Sequence, residues 1–247
     1  STLFPYTTLF RSIPKEFMSI DATIVDISVN QICCLRYLPK QLIELNASDN
    51  LITQIINLPK GLLRLYLHRN NIEMIENLPR GLFTLSLSYN KIQQIQNIPF
   101  NLKVLILNYN DISIIKNLPR TLKKLYLSYN NIQKIENIPI GLQELYLSGN
   151  RITKIGGLND NLEKLYISLN MITKIENLPH KLEYLNLRNN NIEILKNLPL
   201  GLSYLNVSHN NIEILENVPP HLSYLDVSRH NIDVIPCDLH EIDTLIY

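Results

Sequence analysis

The fold class this sequence predicts is a right-handed solenoid of short coils, with a parallel β-sheet on its concave face. Two observations predict it. A twenty-residue frame, NLPRTLKKLYLSYNNIQKIE at 117–136, returns without insertion at 57, 77, 177 and 197. Each copy also has the same order of parts: a period-two Leu pair, an Asn, an Ile and a short limb carrying Pro. One coil cannot bury its own apolar positions, so copies that stack into a common seam are the stable arrangement.

The parts of a coil follow in order. Leu122 and Leu125 have Leu equivalents at every twentieth residue from 42/45 to 222/225. The column of Leu127 stays apolar through Ile27, Ala47, Leu67, Ile167 and Val207, and the column of Ile132 is Ile from Ile32 to Ile232. Ile135 and Leu118 head two further apolar columns. The alternation at Leu125–Leu127 reads as a short strand, and equal strands one coil apart pair in parallel at about 4.8 Å. An Asn follows at every twentieth residue from 30 to 210, and His230 interrupts that column. Its amide both donates and accepts, which suits it to a backbone turning out of the sheet. Nine residues separate Ile132 from Leu142, and most coils carry Pro at the position of Pro139. Proline removes a donor and extends the residue before it, so the convex side is expected to be polyproline-like or single-turn 3-10, with very little α-helix.

Composition narrows the function. Apolar residues make up 45% of the 247 and charged residues 18%; Trp is absent and Gly numbers 7, too few for a phosphate-cradling glycine loop. The net charge of +1 hides an asymmetry: residues 60–134 carry a net +8, residues 135–247 a net −6 and residues 1–59 a net −1. Such a distribution steers partners more than it shapes a fold. Three cysteines (Cys33, Cys34 and Cys237) make no disulfide frame, so a reducing compartment is expected. No apolar run approaches the ~20 residues of a membrane helix, and no membrane association is expected.

The opening stretch TLFPYTTLFRS (Thr2–Ser12) resembles the translation of a sequencing-library adapter. Residues 1–12 are therefore set aside as an adapter or cloning artefact, the other reading being an unusual native cap. Residues 13–247 are expected to form a single array of about eleven coils, cut at both ends, the last coil beginning near Leu239.

The LxxLxLSxNxI core resembles that of leucine-rich-repeat proteins over roughly residues 19–247, which implies the α/β horseshoe class of fold. Two subtypes are echoed. The twenty-residue period with LPxGL (Leu58–Pro59, Leu78–Pro79, Leu118–Pro119) is similar to repeats of bacterial type III secretion effectors. The NIxxIEN segments (Asn71–Asn77, Asn131–Asn137) are similar to internalin repeats and to those of a phosphatase regulatory subunit, families whose repeats run longer and lack the regular Pro. Some of the effectors resembled carry a ubiquitin-ligase domain with a catalytic Cys; nothing in this chain corresponds to it.

Ten of the thirteen tyrosines fall in columns that point out of the concave sheet. Tyr89, Tyr109 and Tyr129 lie at the rim, Tyr66, Tyr126, Tyr146 and Tyr166 mid-strand, and Tyr184, Tyr204 and Tyr224 at the strand start. Apart from Tyr66 they trace a diagonal. A Tyr buries a large rigid ring and keeps a hydroxyl, which favours it at binding hot spots; a ladder that only stabilises an exposed sheet is the rival reading. Arg64, His68, Arg69, Lys103, Lys123 and Lys124 lie beside the N-terminal part of the stripe. An acidic protein surface facing residues 60–134 is their complement. Rings interleaved with cations also suit single-stranded nucleic acid, but Glu144, Glu163, Glu183 and Asp226 would repel a long phosphate chain.

No HExxH, P-loop, GxSxG, CxxC or dinucleotide motif occurs. His209, His221, His230, His240 and Cys237 gather near the C-terminus, yet two ligands without a third make a poor zinc site. Cys33 and Cys34 read as inert small side chains, and Glu136, Glu176 and Lys196 as a solvated rim. The expected function is a non-catalytic, monomeric recognition scaffold without cofactor or metal, located in the cytoplasm or, if exported, a host cytosol. Its partner is a protein gripped at Tyr126, Tyr146 and Tyr166, with Arg64, Lys103 and Lys124 adding charge. Alanine at those three tyrosines is expected to abolish capture with little effect on melting temperature. The alternatives are the substrate-recognition half of a larger enzyme, such as an effector ubiquitin ligase, and a purely structural array.

Overall fold

The structure, a computed structural model, describes residues 9–175, 177–215, 218, 219, 221–230 and 242–247. The readings made above for Glu176, Ile232, Cys237, Leu239 and His240, and for residues 1–8, lie outside them.

The chain divides into two compact units, Ser1–Ile112 with Asn117–Leu125 and Ser113–Lys116 with Tyr126–Tyr247. The first begins with a 3-10 turn, Lys15–Ser19, the one helix among the described residues. It carries the strands β1 (Ile24–Asp26), β2 (Glu44–Asn46), β3 (Arg64–Tyr66), β4 (Thr84–Ser86) and β5 (Val104–Ile106). These pair in parallel and in order, with Leu45 opposite Leu65, Leu65 opposite Leu85 and Leu85 opposite Leu105. The division falls within β6 (Lys124–Tyr126). In the second unit β7 (Glu144–Tyr146), β8 (Lys164–Tyr166), β9 (Tyr184–Asn186), β11 (Tyr204–Asn206), β13 (Tyr224–Asp226) and β14 (Thr244–Ile246) pair in the same way, one coil per strand. Short parallel strands in a solenoid with almost no helix are what the repeat predicts.

Each strand is short because both its ends are pinned. Before it, a hydrogen-bonded turn closes from the amide of the first Leu to the Pro carbonyl three residues back, as in Leu122 to Pro119 at 3.1 Å. The return limb thus resolves into one β-turn per coil, with extended chain before it. After the strand the backbone enters the left-handed region at the column of Tyr129 (φ 56°), where Val29, Arg69, Leu169 and His209 also sit. Only Asn, Asp and Gly tolerate that region easily, so the neighbouring hydrogen bonds must hold it.

The column of Asn130 supplies those bonds. Asn50 Nδ2 donates to the carbonyls of Ile27, Ala47 and Ser48 at 3.0–3.2 Å, while its Oδ1 accepts from Ile32 N–H at 2.9 Å. Asn70 and Asn110 in the first unit, and Asn150, Asn170, Asn190 and Asn210 in the second, repeat this link from one coil to the one before. His230 keeps the link rather than breaking it. Its Nδ1 accepts from Ile212 N–H at 3.2 Å and its Nε2 lies 2.7 Å from Val207 O, so Nε2 carries the proton in the neutral ring.

Burial pushes the His230 imidazole below its ordinary 6.5; its backbone bonds and Asp226 oppose the shift, and His209 adds to it. A base depressed by folding takes up more protons unfolded, so stability rises with pH through the window up to 6.5 and falls as pH drops below it. The melting temperature of the wild type should therefore drop more between pH 7.5 and 5 than that of His230→Asn, which bonds without titrating. Equal pH slopes for the two proteins would refute this role.

The core is the expected seam. The columns of Leu122, Leu125 and Ile132 are fully buried through the interior coils, and those of Leu127 and Ile135 nearly so. The column of Leu118 departs from expectation: it is buried at Leu38, Leu178 and Leu198 and half-buried at Leu58, Leu78, Leu118 and Leu158, because the adjoining proline turn leaves it at the edge of the seam.

Two features go beyond what the repeat predicts. A second Asn column, at Asn57, Asn77, Asn97, Asn117, Asn137, Asn177 and Asn197, occupies a second left-handed corner. Its amides donate to the preceding coil, as in Asn77 to Ile55 O at 3.1 Å and Asn137 to Ile115 O at 3.0 Å. At Gly157, φ 64° and in the same column, an added Cβ would lie 2.5 Å from Ile135 O. The second unit also pairs along its return limbs: Lys154, Lys174 and Ile194 form parallel bridges, and β10 (Ile194–Leu195) pairs with β12 (Ile214–Leu215). Strict twenty-residue spacing brings extended limbs into register, and β-branched Ile favours the pairing.

Candidate functional site

The sheet's solvent face alternates with the core because side chains on a strand do. In the second unit that alternation sets six tyrosines side by side. Tyr126, Tyr146 and Tyr166 stack with centroids 4.2 and 4.3 Å apart and planes within 11°. Tyr184, Tyr204 and Tyr224 stack at 4.0 and 4.4 Å, within 7°. The expected diagonal step falls between Tyr166 and Tyr184, where the column changes; there the rings tilt by 30° but remain 4.4 Å apart. The row of rings is thus unbroken although the column shifts.

Stacking at these distances covers the ring faces with one another and turns their edges and hydroxyls outward. A nucleic acid base cannot stack on a face already covered. Burial raises the phenols of Tyr146, Tyr184 and Tyr224, and neighbouring tyrosines, with Glu144 and Asp226, raise them further. They stay protonated and can donate; Tyr146 Oη donates to Glu144 Oε2 at 3.1 Å. Since the rings support one another, alanine at Tyr126, Tyr146 and Tyr166 removes packing as well as any contact with a partner. A fall in melting temperature is therefore expected of this variant alongside any loss of capture.

In the first unit the rim tyrosines Tyr89 and Tyr109 stack at 4.1 Å, and the Arg69 guanidinium lies 5.2 Å from the Tyr89 ring. Arg69 also reaches Asp49 at 3.5 Å, and His68 reaches the same carboxylate at 3.2 Å. Arg64 is held by Glu44 at 2.6 Å, whose hydrogen bond and charge raise its pKa. Arg64 and Arg69 thus already have carboxylate partners. Tyr66 stands apart, facing Asn46 and Ser86 in register. Lys103 sits one residue before β5, on the strand-start edge rather than the sheet face; Lys124 opens β6. In the second unit Tyr129 borders Gly149, where an added Cβ would lie 2.7 Å from its ring, so the rim stripe ends against a glycine.

Carboxylates at two strand positions cap their own strands. Asp26 accepts from the amide and hydroxyl of Ser28 and from Asn46; burial works against its charge, but these bonds prevail and lower its pKa. Asp226 accepts in the same way from Ser228 and Asn206. Cys33 and Cys34 are free, and burial followed by Cys33 raises the Cys34 thiol, the reverse of thiolate activation. Among the described residues no three His, Cys, Asp or Glu side chains could hold a metal ion. No helix among them is long and apolar enough to cross a membrane.

Strands, seam and asparagine ladder together give the fold of leucine-rich-repeat proteins. Family models described as leucine-rich repeats match residues 119–134, 140–180 and 181–200. Among solved structures the chain is similar to YopM from Yersinia enterocolitica WA-314, at 32% identity over 85% of this chain and 52% of that one, with a TM-score of 0.75. It is also similar to YopM of Yersinia pestis, a leucine-rich effector protein, at 26% identity over 90% of this chain and 70% of that one, TM-score 0.74. The functional domain of InlJ from Listeria monocytogenes shares the fold at 22% identity over 91% of this chain and 53% of that one, TM-score 0.79. The chain spans about half the length of the first YopM and of InlJ, 52% and 53%. No curated protein sequence matches it. The twenty-residue repeats are therefore similar to those of bacterial leucine-rich effectors, and leucine-rich repeats generally serve as non-catalytic protein-binding scaffolds.

Proposed function

We propose that the chain is a protein-recognition scaffold whose main contact is the solvent face of the second unit, at Tyr126, Tyr146, Tyr166, Tyr184, Tyr204 and Tyr224. One observation carries this reading: an unbroken row of half-exposed rings that turns edges and hydroxyls, not faces, to solvent. Such a row offers apolar area at low entropic cost and a line of donors for carbonyls and carboxylates. In the first unit Tyr89 and Tyr109 with Arg69 offer a smaller contact, and Lys103 and Lys124 bring positive charge. The likeness to effectors supports a host protein as partner and a host cytosol as the site of action. The second reading is the substrate-recognition half of a larger enzyme such as an effector ubiquitin ligase, which the likeness of the repeats to those of bacterial effectors supports.

The test compares wild type with Tyr126→Phe/Tyr146→Phe/Tyr166→Phe, which keeps the stack and removes three hydroxyls. Proteins retained from a host-cell extract by wild type should be lost at least tenfold from the triple variant at unchanged melting temperature. Equal retention by both, and by the corresponding triple alanine variant, would end this assignment.

A further inference from the structure

The edge of the sheet where strands begin carries a second file of side chains in the first unit. Ile43, Leu63, Phe83, Lys103 and Lys123 each immediately precede a strand, β2 to β6. Each amide donates to the carbonyl of the residue one coil earlier: Leu63 to Ile43 and Phe83 to Leu63 at 2.8 Å, Lys103 to Phe83 and Lys123 to Lys103 at 2.9 Å. The five side chains therefore leave the backbone in register, about 4.8 Å apart. Ile43, Leu63 and Phe83 are 38%, 39% and 48% exposed. Lys103 is half-buried and Lys123 exposed, and among the described residues neither ammonium has a carboxylate partner.

The fold does not require apolar side chains at this position. In the second unit the same file is Gln143, Glu163, Glu183, Ser203 and Ser223, linked by the same 2.9 Å backbone bonds and polar throughout. Three adjacent aliphatic and aromatic side chains left in water, followed directly by two unpaired cations, are segregated rather than scattered. Isolated exposed apolar residues need no explanation, but a contiguous stripe does.

We propose that this file docks an extended segment of a partner protein whose apolar side chains are followed by carboxylates. The apolar side chains rest on Ile43, Leu63 and Phe83, and the carboxylates meet Lys103 and Lys123. Four steps of about 4.8 Å give a track of roughly 19 Å, which about six residues of extended chain span at ~3.3 Å each. Alternate side chains of such a segment face the track ~6.6 Å apart, so the matching pattern is apolar–x–apolar–x–acidic–x–acidic. The ammonium pair sets orientation and register, while the stripe supplies most of the buried area. This surface is distinct from the tyrosine row and does not depend on it.

The test uses a fluorescein-labelled peptide, Ser-Leu-Ser-Leu-Ser-Glu-Ser-Glu, titrated with the full chain and followed by anisotropy. Its charge-reversed version has Lys for Glu. The acidic peptide should bind, weaken as salt rises, and bind at least tenfold better than the reversed one. Lys103→Glu/Lys123→Glu should weaken it roughly tenfold and Phe83→Ser several-fold, each at unchanged melting temperature. The triple Tyr→Phe variant should bind it as wild type does, which separates this surface from the tyrosine face. Equal binding of both peptides, or equal binding of the acidic peptide by wild type and the double lysine variant, overturns the proposal. So does a sedimentation experiment in which wild type is a dimer and Phe83→Ser a monomer, since a second copy would then cover the stripe. Binding to anionic lipid vesicles in preference to the peptide overturns it as well.

Discussion

Asn70→Leu is expected to destabilise the first unit by about 3–5 kcal/mol. Asn70 Oδ1 is the acceptor for Ile52 N–H at 2.9 Å, and Leu offers that buried amide nothing. An orphaned buried donor costs about 1–3 kcal/mol, and three bonds from Nδ2, to Ala47, Leu67 and His68 carbonyls, are lost besides at about 0.5–1.5 kcal/mol each. The carbonyls suffer less than the amide. Ala47 O still accepts from Asn50 at 3.2 Å and Leu67 O from Asn90 at 3.0 Å, so the damage concentrates at Ile52. The neighbouring Asn71→Leu, whose side chain makes no hydrogen bond among the described residues, should change stability by less than about 0.5 kcal/mol. Chemical denaturation gives the difference, and amide exchange at Ile52 shows where it arises. A loss below 1 kcal/mol for Asn70→Leu would mean that the ladder does not hold the coils together.

The parts of this fold readable in the sequence are those that repetition itself determines. Leu65 and Leu85 must face each other because twenty residues separate them and a register slip would turn both out of the seam. Asn70 could be read as a turn-satisfying amide because its column is nearly invariant. The same logic applied to Asn77, yet that column reads equally well as ordinary polar surface until its left-handed φ of 52° is known. His230 looked like a break, since an imidazole and an amide differ in name but here share one donor and one acceptor. For the candidate site, the tyrosine columns were legible and the ring contacts were not. Whether Tyr166 and Tyr184 meet depends on how each side chain leans, not on column. The pairing of Arg64 with Glu44, and of Arg69 with Asp49, is hidden for the same reason. The strand-start file is hidden because Lys103 and Lys123 read as charge beside the tyrosine stripe, while their neighbours in register are apolar.

Replacing Tyr146 and Tyr184 together by Ala is expected to cost the second unit about 3 kcal/mol, although both rings are only half-buried. The pair takes part in four ring contacts: with Tyr126 at 4.2 Å, with Tyr166 at 4.3 and 4.4 Å, and with Tyr204 at 4.0 Å. Aromatic pairs contribute about 0.5–1.5 kcal/mol each beyond simple burial, so four contacts approach the cost of a core truncation. The corresponding Phe pair should stay within about 1 kcal/mol of wild type, as ring packing survives while the Tyr146 bond to Glu144 and the Tyr184 hydroxyl contacts with Tyr204 and Tyr166 are lost. Tyr66→Ala, a ring facing Asn46 and Ser86, should also lose less than about 1 kcal/mol. Denaturant midpoints for the three variants decide between a stack that supports the sheet and rings that merely lie on it. If the Ala pair proved as stable as the Phe pair, mutual packing would not explain why the tyrosines stand in line, and a ligand would be the stronger reason for the row. A large loss makes the hydroxyls and ring edges the part left over for recognition, which is why removing hydroxyls alone is the cleaner probe of binding.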